Sequence, residues 1–249
     1  MSAVAEMMLQ LPGGGQRPFF YRPDSIGDQG VIHQIFSAAD YSISPDTRFQ
    51  SLIRYAVAQS TGGKRPLVID AGANIGASTV YFSLQYGTGK VIAIEPEKGN
   101  VELLRRNCAG LDVIVQEAAL GAAAGTGFVN DPGHSDWGFR VGPTGAHAVP
   151  IITVPQILAA PELSGFFPLV CKIDIEGGEA ALFDTGTEWV DQFALIVIEL
   201  HDWLFPGQAT SRNFLRTIAA HDFDFVWRGE NAFCFNNRLL KDVQEPSPT

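Results

Sequence analysis

Cysteine, positive charge and long apolar runs are all scarce in this chain, and each scarcity closes off a class of protein. The three cysteines, Cys108, Cys171 and Cys234, are odd in number and widely spaced. They match neither a disulfide framework nor a metal-ligand spacing, and read as reduced thiols of a cytoplasmic protein. Lysine and arginine total 17 against 27 acids, a formal net charge of -10. That balance repels phosphate backbones and anionic lipid, so no nucleic-acid partner is expected, and a small neutral or cationic molecule fits better. The apolar runs at 67–69 and 194–198 fall far short of the roughly 20 residues of a membrane-spanning helix, so no membrane insertion is expected. The N-terminus has no basic stretch leading into an apolar one, and Pro12-Gly13-Gly14-Gly15 interrupts it early, which argues against a signal peptide. Internal repeats are absent as well.

What is present is a globular composition, 46% hydrophobic and 18% charged over 249 residues, enough for one well-buried domain with an extension. Residues 1–45 are mixed in pattern, with a short helix expected over 28–36, and are assigned to an extension that acts as a lid or a dimer contact. A homo-oligomer is therefore left open. A helix over 46–58 leads into the main domain, 46–241. There, Pro66-Leu67-Val68-Ile69-Asp70 is a short apolar run ending in an acid, as a buried parallel strand feeding a loop should be. Ile75, Thr79, Phe82 and Tyr86 follow at one-face helical intervals, with Gly87 as a stop.

The alternation continues with strands at 91–94, 112–116, 169–175 and 193–200, and helices at 98–108, 178–184 and 211–220. Strands alternating with helices imply right-handed crossovers and a parallel sheet. The runs 223–228 and 232–236, split by Gly229-Glu230-Asn231, read as a terminal β-hairpin, and 242–249 as a flexible tail. The expected fold is α/β, a Rossmann-like, mostly parallel seven-stranded sheet flanked by helices and ending in an antiparallel hairpin. One segment breaks the pattern: 121–150 is rich in Gly, Pro, Asp and His, and is expected to be an inserted loop or hairpin over the site.

Asp70-Ala71-Gly72-Ala73-Asn74-Ile75-Gly76 lies between a strand and a helix N-terminus, and its glycines permit a tight turn with close backbone approach to a ligand. Glu95 ends the next strand, where a carboxylate can accept from both hydroxyls of a ribose. A dinucleotide loop would favour Gly-x-Gly-x-x-Gly, and the negative charge of Asp70 would oppose a pyrophosphate. An NAD-dependent oxidoreductase is disfavoured on that ground, and a cofactor carrying an amino group and a sulfonium fits better.

The stretch 68–76, followed by Ala93-Ile94-Glu95-Pro96, resembles the class I methyltransferases, which use S-adenosylmethionine. Lys172-Ile173-Asp174-Ile175-Glu176-Gly177-Gly178-Glu179 narrows the resemblance to the FkbM-type family, with similar patterns at 28–32 and 198–202. By that resemblance Asp70, Gly72, Ala73, Asn74 and Gly76 would line the methionine end of the cofactor, Glu95 and Pro96 the ribose, and Glu117 and Ala118 the adenine. It also implies O-methylation of a hydroxyl on a small molecule such as a sugar or secondary metabolite. A non-catalytic nucleoside-binding protein of the same fold is the alternative, which the intact acids Asp70, Glu95 and Asp174 count against.

For the acceptor, Lys172, Asp174 and Glu176 alternate along one strand and so share a face. Ionised groups in a central strand are costly unless paired or set at its ligand-binding carboxyl end. Lys172 and Asp174 could form a structural ion pair; Asp174 is equally a candidate base. His201, beside Glu199 at the end of the next apolar strand, is the other catalytic candidate. Lys172, Glu176 and Glu199 are assigned to substrate contacts, as are His134 and Trp137 in the inserted segment, where the indole offers a flat face for a ring. Asp174, Glu199 and His201 could also hold a divalent cation, magnesium for so oxygen-rich a set. The resemblance does not require one, and no metal site is expected.

Overall fold

The computed structural model of the chain describes residues 3–11, 15–42, 47–87, 89–130, 140–145 and 147–241. An antiparallel pair, β1 (Ala5–Gln10) and β2 (Gln16–Tyr21), opens it and is followed by α1 (Ile26–Ile32). Helix α1 runs into a π-helical turn over His33–Ser37, and α2 (Thr47–Thr61) leads to the core. The alternating segment comprises β3 (Arg65–Ala71), α3 (Ala77–Gln85), β4 (Lys90–Glu95), α4 (Lys98–Asn107) and β5 (Val113–Glu117). Next come β6 (Ala119–Leu120), β7 (Gly125–Asn130), β8 (Arg140–Gly142), β9 (His147–Ile152) and the short helix α5 (Val154–Leu158). The described chain ends with β10 (Phe166–Ile173), α6 (Glu179–Leu182), β11 (Leu195–Glu199), α7 (Arg212–Ala219), β12 (Phe223–Arg228), β13 (Asn231–Asn236) and α8 (Asn237–Leu240).

Seven strands form one sheet in the order β12-β13-β11-β10-β3-β4-β5. Every pairing from β5 across to β11 is parallel, while β13 runs antiparallel to both β11 and β12. The fold is thus α/β and Rossmann-like, closed by an antiparallel hairpin. Strands β3, β4 and β11 are buried along almost their whole length because packed layers cover both faces of the sheet. On one face Val68 and Val91 pack with Val80 of α3 and Leu104 of α4. On the other, Leu67, Ile69 and Ile92 pack with Phe214 and Ile218 of α7. Among the described residues no helix is long and apolar enough to cross a membrane.

Chain order reverses at β3: the path moves outward through β4 and β5, then returns to pair β10 against the opposite edge of β3. Crossovers leaving in opposite directions open a crevice beyond the carboxyl ends of those strands, the usual ligand position in open α/β sheets. Two further pieces flank the crevice. Residues 119–152 contribute a second, four-stranded sheet in the order β6-β9-β7-β8, with Val129 and Val149 in its own small core. The β1–β2 hairpin is tied to α4, where the Asn107 amide donates to the Phe20 carbonyl at 2.9 Å and accepts from the Phe20 N–H at 2.7 Å. Arg22 pairs with buried Asp28 at 2.6 Å and donates to Asn100 at 2.7 Å, anchoring the start of α1 to the same helix.

Strand β10 ends earlier than the sequence pattern implied. It stops at Ile173, and Glu176 sits in a turn with φ +55°. The turn, rather than strand alternation, therefore aims the Glu176 carboxylate.

Candidate active site

The loop after β3 is built on backbone geometry that few residues allow. Gly72 has φ +77°, Asn74 φ +50° and Gly76 φ +93°. The Gly72 and Ala73 N–H groups both donate to the Ile94 carbonyl at 3.0 Å, fastening the loop to β4. Asn74 N–H donates to Glu95 Oε2 at 2.8 Å, and Glu97 N–H to Glu95 Oε1 at 2.9 Å. Burial pushes the Glu95 carboxyl up to about 7, against the pull of those two backbone donors. Glu95 Oε1 also accepts from the Asn100 amide at 3.4 Å, whereas Oε2 retains a lone pair, and the residue lines a cavity.

Asp70 lies beneath this loop rather than on its open face. It is fully buried, and Oδ2 accepts from the Ser78 hydroxyl at 2.8 Å and the Thr79 hydroxyl at 2.6 Å. The β3–β10 register places Lys172 directly beside it. Lys172, 2% exposed, donates from Nζ to the Gly72 carbonyl at 2.8 Å and stands 3.5 Å from Asp70 and 3.3 Å from Asp174. Burial works against its charge, yet the surrounding Tyr41, Asp174 and Asp70 outweigh it and hold the ammonium above the usual lysine range. Lys172 thus ties the loop to the chain that leads into Asp174 and Glu176.

Those acids gather around one imidazole. His201 is buried; its Nδ1 meets Glu179 Oε1 at 3.0 Å. Its Nε2 faces Asp174 and Glu176 at 3.7 Å each and Glu199 at 3.5 Å. Burial opposes a charged imidazole, but the bond to Glu179 and the nearby Asp174 and Glu176 win and lift the His201 pKa to about 9. Burial, with Asp174 adding to it, raises Glu199 to about 8 and Glu176 to about 7.

Two cavities open on this arrangement. The first, about 550 Å³, is bounded by Glu95, Pro96, Asn100, Ala118, Arg140 and Phe205, among others. The second, about 560 Å³, is bounded by Ala73, Tyr41, Lys172, Glu199, Trp203 and Glu230, among others. Gly72, Asn74, Asp174 and Glu176 border both. Most of the residues singled out from sequence therefore converge on one crevice. Gly76 instead packs inward, where an added Cβ would lie 2.7 Å from a methyl of Leu104. Glu117 turns to solvent and pairs with Arg105 at 3.3 Å. His134 and Trp137 lie outside the described residues.

Several wall residues escaped the sequence reading. Tyr41 sits in the irregular segment before α2, where no periodicity marks it. Phe205 follows β11 in a loop, and its ring lies 4.6 Å from the Arg140 guanidinium of the second sheet. Asn100 carried a usable signal, an uncharged amide on the inward stripe of α4, where it is 2% exposed. Glu179 stood in the quoted motif without a role; it orients His201.

Residues 70–227, more than half of the chain, match the methyltransferase FkbM domain. The chain belongs to the FkbM methyltransferase family. Within it, this member is 36% identical over 78 residues to methyltransferase sdnD of Sordaria araneosa, a match covering 28% of this chain and 30% of the relative. Among solved structures it is similar to an O-methyltransferase from Bacillus cereus in complex with SAH, at 15% identity over 83% of this chain and 88% of that one, with a TM-score of 0.39. It is likewise similar to precorrin-6y C5,15-methyltransferase from Geobacter metallireducens, at 13% identity over 78% and 88% of the two chains, with a TM-score of 0.37.

Proposed function

We propose that this FkbM methyltransferase uses S-adenosylmethionine to methylate a hydroxyl of a small molecule, in a reduced, cytoplasmic compartment. The observation that carries the reading is the meeting of two cavities at Gly72, Asn74, Asp174 and Glu176. Methyl transfer needs a donor and an acceptor held end to end with water kept out. The first cavity has the chemistry for a nucleoside: a carboxylate with a spare lone pair on Oε2 at Glu95, a polar amide at Asn100 and an apolar wall at Ala118. The Gly72–Asn74 backbone, stripped of bulk at its first position, borders the passage into the second cavity.

Bound there, S-adenosylmethionine would supply a methyl carbon already activated by positive sulfur. Glu95 would accept from the ribose hydroxyls. Lys172, through the Gly72 carbonyl, would keep the loop in register with Asp174. At the junction Asp174 would take the acceptor's proton, with the charged His201 ring 3.7 Å away to offset the surrounding carboxyl charge and Glu179 fixing that ring. Burial and lack of pairing of all three cysteines support the reduced compartment.

Calorimetric titration tests the donor half. Micromolar binding of S-adenosylmethionine and S-adenosylhomocysteine is expected, weakened at least about tenfold, or about 1.4 kcal/mol, by Glu95→Ala. Absence of binding would refute the donor assignment. A radiolabelled methyl-transfer screen over sugars and hydroxylated metabolites then tests the acceptor half. Asp174→Asn should reduce turnover by about a hundredfold or more while leaving donor affinity intact; unchanged turnover would remove Asp174 from the reaction.

A further inference from the structure

Beside the second cavity, whose wall includes Asp174, Glu176 and Glu199, a single buried imidazole is ringed by carboxyl groups. Four carboxylates, those of Asp174, Glu176, Glu179 and Glu199, lie within 3.7 Å of the two His201 ring nitrogens. The nearby ammonium of Lys172 is already engaged by Gly72, Asp70 and Asp174. With Nδ1 held by Glu179, the ring presents Nε2 to the cluster, and among the described residues Nε2 makes no hydrogen bond. Glu176 Oε2, buried at the atom, also has no hydrogen-bond partner.

We propose that Asp174, Glu176 and His201 form a binding site for a divalent transition-metal cation of the manganese type. One donor atom from each lies within 4.8 Å of the others, and both nitrogen–oxygen separations are 3.7 Å. Ligands held at about 2.2 Å in the octahedral arrangement manganese prefers lie roughly 3.1 Å apart at neighbouring positions, so the three side chains close on the ion by moving inward. The 3.7 Å nitrogen–oxygen separations are too long for hydrogen bonds and leave room for an ion between the donors. A carboxylate gripping the far nitrogen of a ligating histidine is the usual supporting contact of such sites, and Glu179 supplies it.

The donor set also selects the ion. Magnesium and calcium favour oxygen alone, whereas one imidazole with two carboxylates suits a borderline metal, and no thiolate is present to demand a softer one. Glu176 thus takes the place that the sequence pattern offered to Glu199. The cation would face the cavity with open positions, and a hydroxyl coordinated there would release its proton more readily. This last step rests on the proposed methyl transfer; the cation site rests on geometry alone.

The test is a titration of metal-stripped full-length protein with manganese chloride, followed by electron paramagnetic resonance of the free aqua ion. About one ion per chain should bind, and Glu176→Gln and His201→Gln should each weaken it at least about tenfold. Glu176 borders the cavities, so Glu176→Gln carries the test even where His201→Gln fails to fold; circular dichroism checks both. No binding at millimolar manganese, or binding that Glu176→Gln leaves unchanged, overturns the site. S-adenosylmethionine titrated into the same preparation separates the two readings. Donor binding without manganese binding refutes the cation site alone, and manganese binding without donor binding refutes the methyltransferase reading alone.

Discussion

A Cβ placed on Gly72 would lie 1.7 Å from the carbonyl oxygen of Asp174. The loop after β3 and the chain leaving β10 therefore touch backbone to backbone, with Lys172 bonded across the same junction. Gly72→Ala must displace one of them, and its φ of +77° adds strain for any other residue. A loss of more than about 2 kcal/mol is expected, measured by urea unfolding. Any folded fraction should bind S-adenosylmethionine at least several-fold more weakly.

Removing Lys172 should be more damaging than its distance from solvent alone implies. Lys172→Met leaves Asp70 and Asp174 without their shared cation, a change worth roughly 3–5 kcal/mol when one partner of a buried pair is lost. Adding Asp70→Asn should recover part of that, because the second substitution removes the stranded charge. Thermal melts of both single variants and the double variant give the coupling directly; simple additivity would show that the pair is not linked.

Glu95 makes the proposed donor site sensitive to pH in a calculable direction. Its folded pKa, about 7, lies above the ordinary 4.5 because burial disfavours the ionised form. The folded chain thus holds this proton more tightly than the unfolded chain. The resulting stabilisation is full below about 4.5 and is lost as pH rises through about 7. Ribose hydroxyls donate best to the ionised carboxylate, so donor affinity should rise across that window as stability falls. Glu95→Gln should flatten the affinity slope and reduce the stability slope to what Glu176 and Glu199 leave, read by melting temperature and calorimetry across pH.

Gly177 governs the far wall of the first cavity. With φ +94°, it leaves room for Phe205, and an added Cβ would sit 2.2 Å from the ring. Gly177→Ala should push that ring off its contact with Arg140 and into the cavity. Donor KM should rise several-fold with little change in kcat, and unaltered KM would show that Phe205 does not bound the donor.

Much of this is legible in the amino-acid sequence. The strands β3, β4, β10 and β11 announce themselves as apolar runs, since burial on both faces leaves few polar positions beyond Lys172 and the acids at their carboxyl ends. Their order in the sheet agrees with the βαβ alternation. Less legible were β1 and β2, β7 to β9, and Tyr41. Here short strands and irregular turns carry no sustained period, and position depends on what lies across the crevice.

The sequence by itself determined the sheet, the loop 70–76, and the acids at the ends of β4, β10 and β11, because local pattern and turn chemistry dictate each. Tertiary structure alone decided what those acids do. Asp70 and Gly76 sit among the motif residues, yet packing turns them away from the cavities, toward Ser78 and Thr79 in one case and Leu104 in the other. Glu176 and His201, separated in the chain, meet because β10 and β11 are parallel neighbours that end side by side. Side-chain charge is written in the chain, but its partners and its desolvation depend on which strands become neighbours, and that is settled only when the sheet assembles.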